Sequence, residues 1–406
     1  MRPGETRNTM VLRAASALVL AAVLAMALAA GMPAPKAHAA SEQPSPSEAL
    51  QGAVEAVHDY AGAGKGGSAL EHQDKLPAGD SVADWIAFDL ARVGADKGTE
   101  AYRTALEQYV TGAYATTEQL DRNQSTPWSR VALTAAALGG DPTAFGTDPS
   151  GSPIDLVADG TYNWKHTSDL GYQGTNAWCY ALYAIDGTGV TVPDDAAYTA
   201  ERMVGELLAL QNENGSWGLT AGAEDTDITS MAIVALAPHT GEPQVSSAIE
   251  RGLDFLAYAE GGDGTFSSAG VSNSESCSMV ILALCSVGID PTDPSTAFCK
   301  NGTTVYDGLM SFRRADGSFS HTADDDQQDI NLMPTEQAMR ALIATEELRQ
   351  GGDGDVYTMD VQVTLSNYHF NGNDARWLGV GIAVGAAAMA VACLVLWRRR
   401  RRQVLD

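Results

Sequence analysis

Three copies of one short pattern decide the fold: QNENGSWGL (211–219), AEGGDGTFSS (259–268) and RRADGSFSH (313–321). Each copy places a glycine, a small hydroxyl residue and an aromatic residue between two helical segments, and ADGTYNW (158–164) is a degenerate fourth copy. Glycine supplies a backbone angle that other residues avoid, and a buried aromatic ring can join neighbouring helical hairpins. The copies lie about fifty residues apart, the length of one helical hairpin with its connections.

The chain around these turns has helical periodicity, with alanine and leucine at three- and four-residue spacings. The second helix of each pair is apolar, as in TSMAIVALA (229–237), whereas the first is charged, as in VSSAIERGLDFLAYAE (245–260). An inner ring of apolar helices inside an outer amphipathic ring would produce this contrast. The sequence therefore predicts an all-α fold, an (α/α)6 toroid over residues 48–350, with an open solenoid as the alternative. The predicted helices are 47–62, 81–94, 99–116, 127–138, 153–159, 175–186, 198–212, 227–238, 245–259, 274–288, 304–313 and 334–347.

The N-terminal end has the pattern of a secretory signal. Three arginines precede an apolar run over 14–32, and Ala37-His38-Ala39 then supplies the small residues that a signal peptidase requires. We expect a signal peptide over 1–39 and a proline-containing leader over 40–47, with an uncleaved anchoring helix as the alternative.

The C-terminal end has the pattern of a membrane anchor. Residues 378–396 are apolar and uncharged, Trp377 and Trp397 flank them, and five arginines follow at 398–402. Such a segment is long enough to span a bilayer, and the arginines mark its cytoplasmic side. We expect a juxtamembrane stalk or short strand over 351–376, a transmembrane helix over 377–397 and a basic cytoplasmic tail over 398–406. The predicted location is the cell membrane, single-pass, with the N-terminal domain extracellular.

Charge narrows the range of partners. The whole chain carries −26, and without the two ends it retains 16 basic and 49 acidic residues, a balance of about −33. This sign excludes nucleic acid as a natural partner and suits a solvated surface or a cationic ligand. Five cysteines do not form a disulfide scaffold, although Cys285 and Cys299 are spaced to pair across a loop.

The motifs also carry a family resemblance. Gln211 with Gly215-Ser216-Trp217 resembles the QW repeat of the terpenoid-cyclase and protein-prenyltransferase superfamily, whose fold is an (α/α)6 toroid. The closest resemblance is to bacterial surface proteins with prenyltransferase/squalene-oxidase repeats, and a more distant one is to the α domain of intrinsic factor and transcobalamin. The segments that carry it are GYQGTNAWCYALYAID (171–186), DTDITSMAIVALAP (225–238), NSESCSMVILALCSVGIDP (273–291), KNGTTVYDGLMSF (300–312) and PTEQAMRAL (334–342).

Polar and aromatic residues recur where the predicted inner helices begin. In a toroid these positions would meet at one mouth, which is the kind of concave site that binds ligands. Helix capping is the alternative for any single residue, and Asp227, Asn273 and Thr335 stand where caps are expected. The candidate ligand-binding residues are Asp84, Trp85, Trp128, Tyr172, Asn176, Trp178, Asp225, Asp227, Glu275, Glu336 and Gln337.

Two of these stretches resemble catalytic motifs in incomplete form. Asp225-Thr226-Asp227-Ile228 resembles the DxDD acid motif of class II terpene cyclases but lacks its last aspartate. Glu275-Ser276-Cys277 resembles the Asp-x-Cys zinc ligands of prenyltransferase β subunits, and the nearest histidine is His321 rather than one at the start of the next inner helix. We therefore predict no catalytic or metal-binding residues and no cofactor, with zinc or a corrinoid as remote alternatives.

The predicted function is a membrane-anchored extracellular binding module with its ligand in the toroid mouth. The ligand or partner could be a small molecule, a glycan or a surface protein. The alternative is an enzyme of the toroid class, either glycan-active or a degenerate relative of prenyltransferases and terpene cyclases. A purely structural ectodomain is the third reading, and it predicts a mouth plugged by side chains.

Overall fold

The computed structural model describes residues 43–64, 66–325, 329–359 and 362–365. The predicted signal peptide, transmembrane helix and basic tail lie outside these residues. Within the described part of the chain, no helix is both long enough and apolar enough to cross a membrane.

Twelve α-helices lie in the described residues and correspond one to one with the predicted helices. They are α1 Pro46–Ala61, α2 Ser81–Arg92, α3 Thr99–Thr117, α4 Thr126–Ala137, α5 Leu156–Gly160, α6 Thr175–Thr188, α7 Ala200–Leu210, α8 Thr226–Leu236, α9 Pro243–Ala259, α10 Ser274–Ser286, α11 Val305–Met310 and α12 Leu332–Arg349. Short 3-10 helices cover Leu170–Gln173 and Ala237–His239. Two small antiparallel hairpins pair β1 Ser267–Ser268 with β2 Val271–Ser272, and β3 Cys299–Lys300 with β4 Thr303–Thr304.

The even-numbered helices form a closed ring. Each packs against the next in the series α2, α4, α6, α8, α10 and α12, and α12 packs back against α2. The odd-numbered helices lie outside, where α3, α5, α7, α9 and α11 pack on the ring and α1 packs on α12. The predicted toroid is therefore present, and the open solenoid is excluded by the contact between α12 and α2.

Burial separates the two layers as the sequence predicted. Nine of the eleven residues of α8 are buried, so that this helix is enclosed on nearly every side. In α9 the buried positions are five of seventeen and follow a single stripe from Val245 to Leu256. A helix with one apolar stripe belongs at the surface of a domain, whereas an apolar helix belongs inside it.

The repeated glycine lets each turn touch the outer helix of the next hairpin. Gly215, Gly264 and Gly317 all have positive φ, from +75° to +93°. A Cβ atom at these positions would lie 2.2–2.4 Å from the carbonyl oxygens of Arg251, Thr304 and Gly52, respectively. Because Gly52 belongs to α1, the last copy of the repeat joins the end of the ring to its beginning.

The repeated aromatic residue is fixed by the inner helix that follows it. Trp217, Phe266 and Phe319 are fully buried. Their backbone N–H groups donate to Thr229 Oγ1 at 2.9 Å, to Cys277 Sγ at 3.3 Å and to Thr335 Oγ1 at 3.1 Å. Cys277 is therefore the structural counterpart of two threonines.

The segment after α12 covers the end of the ring where the inner helices terminate. Tyr357 stacks on Tyr183 of α6, with ring centroids 4.4 Å apart, and also contacts Trp85 and Phe88 of α2. Val363 and Leu365 are buried. Residues 351–359 and 362–365 thus belong to the folded unit, and the predicted stalk or strand is wrong for them because their apolar side chains find partners in the ring.

The described cysteines are free thiols. Cys179, Cys277 and Cys285 are buried, and Cys299 lies in β3. The pairing of Cys285 with Cys299 is not formed, since the Cys285 thiol lies in the core, 3.8 Å from Thr345 Oγ1.

Candidate functional site

Three successive inner helices carry a matching pair of residues on one helix face. The second residue of α6, α8 and α10 is partly exposed, and the residue four places later lies on the same helix face. The pairs are Asn176 with Tyr180, Asp227 with Met231, and Glu275 with Met279. Tyr180 contacts Trp85 of α2, with 6.1 Å between ring centroids, although these helices are not neighbours in the ring. We use the name central cleft for these six residues together with Arg130 and Gln337.

Asp225 and Asp227 have different roles. Asp225 caps α8, because its carboxylate accepts the Ile228 N–H at 2.9 Å, and it also accepts the Ser268 hydroxyl at 3.1 Å. The expectation that Asp227 is a cap is therefore wrong, since the chain reaches its helical geometry one residue earlier than predicted. Thr335 is likewise not a cap, because Asn331 caps α12. Asn273 caps α10 as expected.

Asp227 presents an unsatisfied carboxyl to the central cleft. Its Oδ1 and the nearby Ser276 Oγ on α10 are both buried and make no hydrogen bond of good geometry in the described structure, although the two groups lie close enough for the hydroxyl to stabilise the carboxylate. Burial raises the pKa of Asp227 to about 6, the Ser276 hydroxyl opposes this shift, and the carboxylates of Asp225 and Glu275 add to it. A carboxyl with this pKa exchanges its proton near neutral pH.

Further unsatisfied polar atoms lie at the same end of the ring. Asn176 Oδ1 in α6 and Ser129 Oγ in α4 are buried and also lack a hydrogen-bond partner within the described ranges. Together with Asp227 Oδ1 and Ser276 Oγ, they place one such atom in the first turn of each of four successive inner helices. Buried polar atoms are nearly always hydrogen-bonded, so this belt is suited to a ligand that carries several hydroxyl or amino groups.

Glu275 and Glu336, two further predicted acids of the mouth, have protein partners. Glu275 lies 3.0 Å from His321 Nδ1. Glu336 is buried and pairs with Arg340, which also pairs with Asp89 at 3.2 Å. Burial raises the pKa of Glu336 to about 7, Arg340 lowers it, and the Glu275 carboxylate contributes to the rise. The three carboxylates of Asp227, Glu275 and Glu336 therefore form one connected electrostatic group.

The arrangement around Cys277 does not fit a metal. Its sulfur accepts the Phe266 N–H, and burial raises the thiol pKa to about 12. A zinc ligand must be a thiolate with an open coordination direction. Among the residues that the structure describes, no group of three histidine, cysteine or acidic side chains is placed to hold a metal ion.

Asp84 and Trp85 support the cleft from within the wall. The Asp84 carboxylate accepts the Gly79 N–H and the Tyr102 hydroxyl, each at 2.9 Å, and pairs with Arg130 at 3.0 Å. Trp85 is 6% exposed and lies under the Arg340 guanidinium at 4.2 Å. Asp84 thus links α2 to α3 and α4, and Trp85 lies at the base of the cleft.

Trp128 faces away from the ring axis. Its indole N–H donates to the Tyr114 hydroxyl at 2.8 Å, and its ring stacks on His166 with 4.8 Å between centroids. The side chain is fully buried between α4 and its neighbours. Its distance from the cleft follows from its place on the outer face of α4.

Tyr172 and Trp178 belong to a second concavity. This rim groove has a volume of about 380 Å³ and lies between the 3-10 helix before α6, the end of α7 and the loop before α8. Its lining comprises Asp169, Gly171, Tyr172, Gln173, Gly174, Thr175, Trp178, Glu206, Leu210, Leu219, Thr220 and Ala221.

The sequence reasoning missed four residues of the site. Tyr180, Met231 and Met279 each follow a predicted or candidate residue by four places, so the helical period could have found them. Ser276 had no such signal, because its importance depends on the neighbouring Asp227.

The known proteins of similar structure are distant. No family model and no curated protein matches this sequence. An unsaturated glucuronyl hydrolase from Bacillus sp. GL1 is 13% identical over 77% of this chain and 98% of its own, with a TM-score of 0.47. The type II terpene cyclase MstE from Scytonema is 13% identical over 75% and 99%, with a TM-score of 0.45.

The ent-copalyl diphosphate synthase from Streptomyces platensis is 18% identical over 64% of this chain, with a TM-score of 0.41. The chain spans about half of that synthase, 49%. Terpene cyclases thus stand among the similar structures, as the sequence resemblance predicted. At these identities the likeness concerns the fold alone and assigns neither substrate nor residue roles, and the toroid rests on the closed helix packing.

Proposed function

We propose that the central cleft is the active site of a general acid–base enzyme of the toroid class, with Asp227 as the acid and a carbohydrate as the substrate. The observation that carries this proposal is the buried carboxyl of Asp227, with the Ser276 hydroxyl as a neighbour, beside the polar belt of α4, α6 and α10. It favours the enzymatic alternative over the non-catalytic module, because Asp227 is not needed to cap its helix.

The acidity of Asp227 suits cleavage of a C–O bond. A pKa of about 6 lets the carboxyl donate a proton to a leaving oxygen near neutral pH. Protonation of an alkene needs a much stronger acid, so terpene-cyclase chemistry is the poorer fit. In the proposed step the proton passes to the departing oxygen as the C–O bond breaks. Water then adds hydroxide to the carbon and returns its other proton to Asp227.

The surrounding charge favours a neutral or cationic sugar. Asp225, Asp227, Glu275 and Glu336 border the cleft, whereas the guanidinium groups of Arg130 and Arg340 are already paired with carboxylates. An anionic sugar would be repelled by the carboxylates of Asp225 and Asp227, which have no cationic partner among the described residues. The substrate class therefore follows from the charges of this cleft.

A binding module remains the second candidate function. Glu275 is held by His321 and Glu336 by Arg340, so that Asp227 is the carboxyl of this group that makes no ion pair among the described residues. Glycosidases use two carboxyl groups in most families, and a single acid would have to act in both halves of the reaction. A lectin-like role requires only the polar belt and the same ligand class.

The location is also a proposal. The signal-like N-terminus and the apolar segment before five arginines support an enzyme held at the outer face of the cell membrane. Cleavage of the folded part by protease added to intact cells is the expected result, and protection from protease would contradict it.

The experiment compares the full-length wild type with Asp227→Asn on neutral, cationic and anionic oligosaccharides. Product is measured by mass spectrometry, and binding by calorimetry. We expect turnover of neutral or cationic substrates and a loss of at least about a hundredfold in Asp227→Asn, with binding retained. Asp293→Asn, an exposed turn residue, is the matched control and should behave as wild type. Equal turnover by Asp227→Asn would contradict the enzymatic proposal, and binding without turnover would favour the lectin-like role.

A further inference from the structure

The rim groove presents an aromatic side chain and two acids to solvent. Tyr172 is 65% exposed and Leu219 is 45% exposed, whereas Trp178 beneath them is 4% exposed. The side chains of Asp169 and Glu206 lie at the edge and are 46% and 42% exposed. Large exposed aromatic residues at a concave surface are characteristic of ligand binding.

The groove is preformed by close backbone contacts between two hairpins. A Cβ atom on Gly171 would lie 2.4 Å from Trp178 Nε1, so the Gly171 backbone lies directly on the indole. Gly174 has a φ of +107°, and its Cβ would lie 2.3 Å from the Leu219 carbonyl oxygen. Thr175 donates its N–H to that same oxygen at 3.0 Å. The two walls are thereby fixed relative to each other, and binding requires little reorganisation.

The groove adjoins the central cleft. Thr175 and Trp178 of α6 line the groove, while Asn176 and Tyr180 of the same helix line the cleft. The two concavities lie on different faces of the first turns of α6, and a helix with its side chains is about 10 Å across. A chain-like ligand can therefore occupy both sites by crossing the start of α6.

The chemistry of the groove suits another unit of the same ligand. The Tyr172 ring offers an apolar face for a sugar ring, and carboxylates accept strong hydrogen bonds from hydroxyl or ammonium groups. Arg202 approaches Asp169 at 3.8 Å and Glu206 at 3.9 Å, distances longer than a good hydrogen bond. Asp169 Oδ1 also accepts the Gly171 N–H at 2.8 Å as the cap of the 3-10 helix, so that Asp169 Oδ2 and the Glu206 carboxylate retain acceptor capacity toward a ligand.

We propose that the rim groove is an outer subsite that binds a distant unit of an oligosaccharide, too far along the chain for a dimer to reach, while the reacting unit lies in the central cleft. The proposal rests on the proposed function, since it places the same substrate class in both concavities. It makes the protein an enzyme of oligomeric rather than monomeric sugars. Tyr172 is the specificity residue of the subsite, and Asp169 and Glu206 orient the bound unit.

The test uses glucosamine oligomers of two and six units with the full-length protein, and determines KM and kcat separately. Tyr172→Ala should raise KM for the hexamer about tenfold, as expected for the loss of one stacking contact, and leave KM for the dimer unchanged. Tyr172→Phe keeps the ring and should retain the wild-type KM. Tyr258→Ala removes another exposed tyrosine, 88% exposed on α9, and is the matched control.

The outcomes separate the two proposals. If Asp227→Asn is inactive but Tyr172→Ala has an unchanged KM for the hexamer, the subsite is overturned and the active site stands. If Asp227→Asn is as active as wild type, the proposed active site is overturned. Even then, the subsite would be supported if the wild type binds the hexamer more tightly than the dimer and Tyr172→Ala binds the two equally. Absence of binding to either oligomer overturns both.

Discussion

The two ends of the inner ring are built in opposite ways. Where the inner helices begin, Asp227 and Asn176 have buried oxygens without partners and belong to partly exposed side chains. Where the helices end, residues 351–359 and 362–365 cover the ring, and Tyr357 inserts between Tyr183 and Trp85. Aromatic contacts therefore fill the closed end, where Arg92 Nε and Glu347 Oε1 are also buried without partners in the described structure, whereas at the open end the unpartnered oxygens of Asp227 and Asn176 belong to partly exposed side chains.

This difference separates stability from function within one fold. Aromatic stacking and burial stabilise the closed end, whereas a desolvated carboxyl lowers stability at the open end. Proteins retain such unfavourable groups mainly at functional sites.

Removing the plug at the closed end should have the largest effect. Tyr357→Ala deletes a ring that contacts three other aromatic residues, and we expect a loss of about 3–5 kcal/mol in the free energy of unfolding. Urea denaturation followed by tryptophan fluorescence measures it. Tyr258→Ala, at an exposed tyrosine, should change this free energy by less than about 0.5 kcal/mol. A Tyr357→Ala protein as stable as wild type would show that the segment after α12 is not part of the folded ring.

The contact between the last copy of the repeat and α1 should have the next largest effect on stability. Gly317→Ala places a methyl group 2.4 Å from the Gly52 carbonyl oxygen at a φ of +93°, and we expect a loss of about 3 kcal/mol. Gly270→Ala is the matched control, because Gly270 has a similar φ of +81° but open space around its Cβ position. It should lose only about 1 kcal/mol. Equal losses in the two variants would mean that backbone strain alone matters and that ring closure does not depend on this contact.

Stability should fall as the pH rises, because both ends contain carboxyls with raised pKa values. Burial raises the pKa of Glu336 in the cleft wall, and of Glu347 and Asp355 near the closed end, to about 7. Between their unfolded values near 4 and about 7, the folded state binds more protons than the unfolded state. The protein should therefore be more stable at pH 5 than at pH 8, by about 2 kcal/mol, in denaturation at both pH values. Higher stability at pH 8 would contradict the idea that burial destabilises the charged form of these carboxyls.

The sequence predicted the fold more completely than the site. Period and glycine turns located all twelve helices, because each depends on local spacing. Capping depends on the residue at which the helix begins. Because α8 begins one residue earlier than predicted, Asp225 rather than Asp227 is its cap. The directions of Trp128 and Trp178 depended on helix rotation, which the motifs do not determine. The packing of Tyr357 joins α6 and α2 to a segment with little regular pattern, and only the tertiary structure brings them together.

Asp227→Asn at the open end should have the smallest effect on the free energy of unfolding, and this variant connects stability with function. Asp227→Asn removes a carboxylate that must ionise in a desolvated position, while its shape is kept. We expect a gain of about 1 kcal/mol at pH 7.5, less than the full conversion of the pKa shift because the side chain is partly exposed to screening solvent. At pH 4 the wild-type carboxyl is protonated in the folded state, so the gain should disappear. Asp293→Asn, at an exposed turn, should show no gain at either pH. A variant that gains stability while losing turnover would mark Asp227 as a group kept for chemistry, whereas a loss of stability at pH 7.5 would make it a structural residue like those of the closed end.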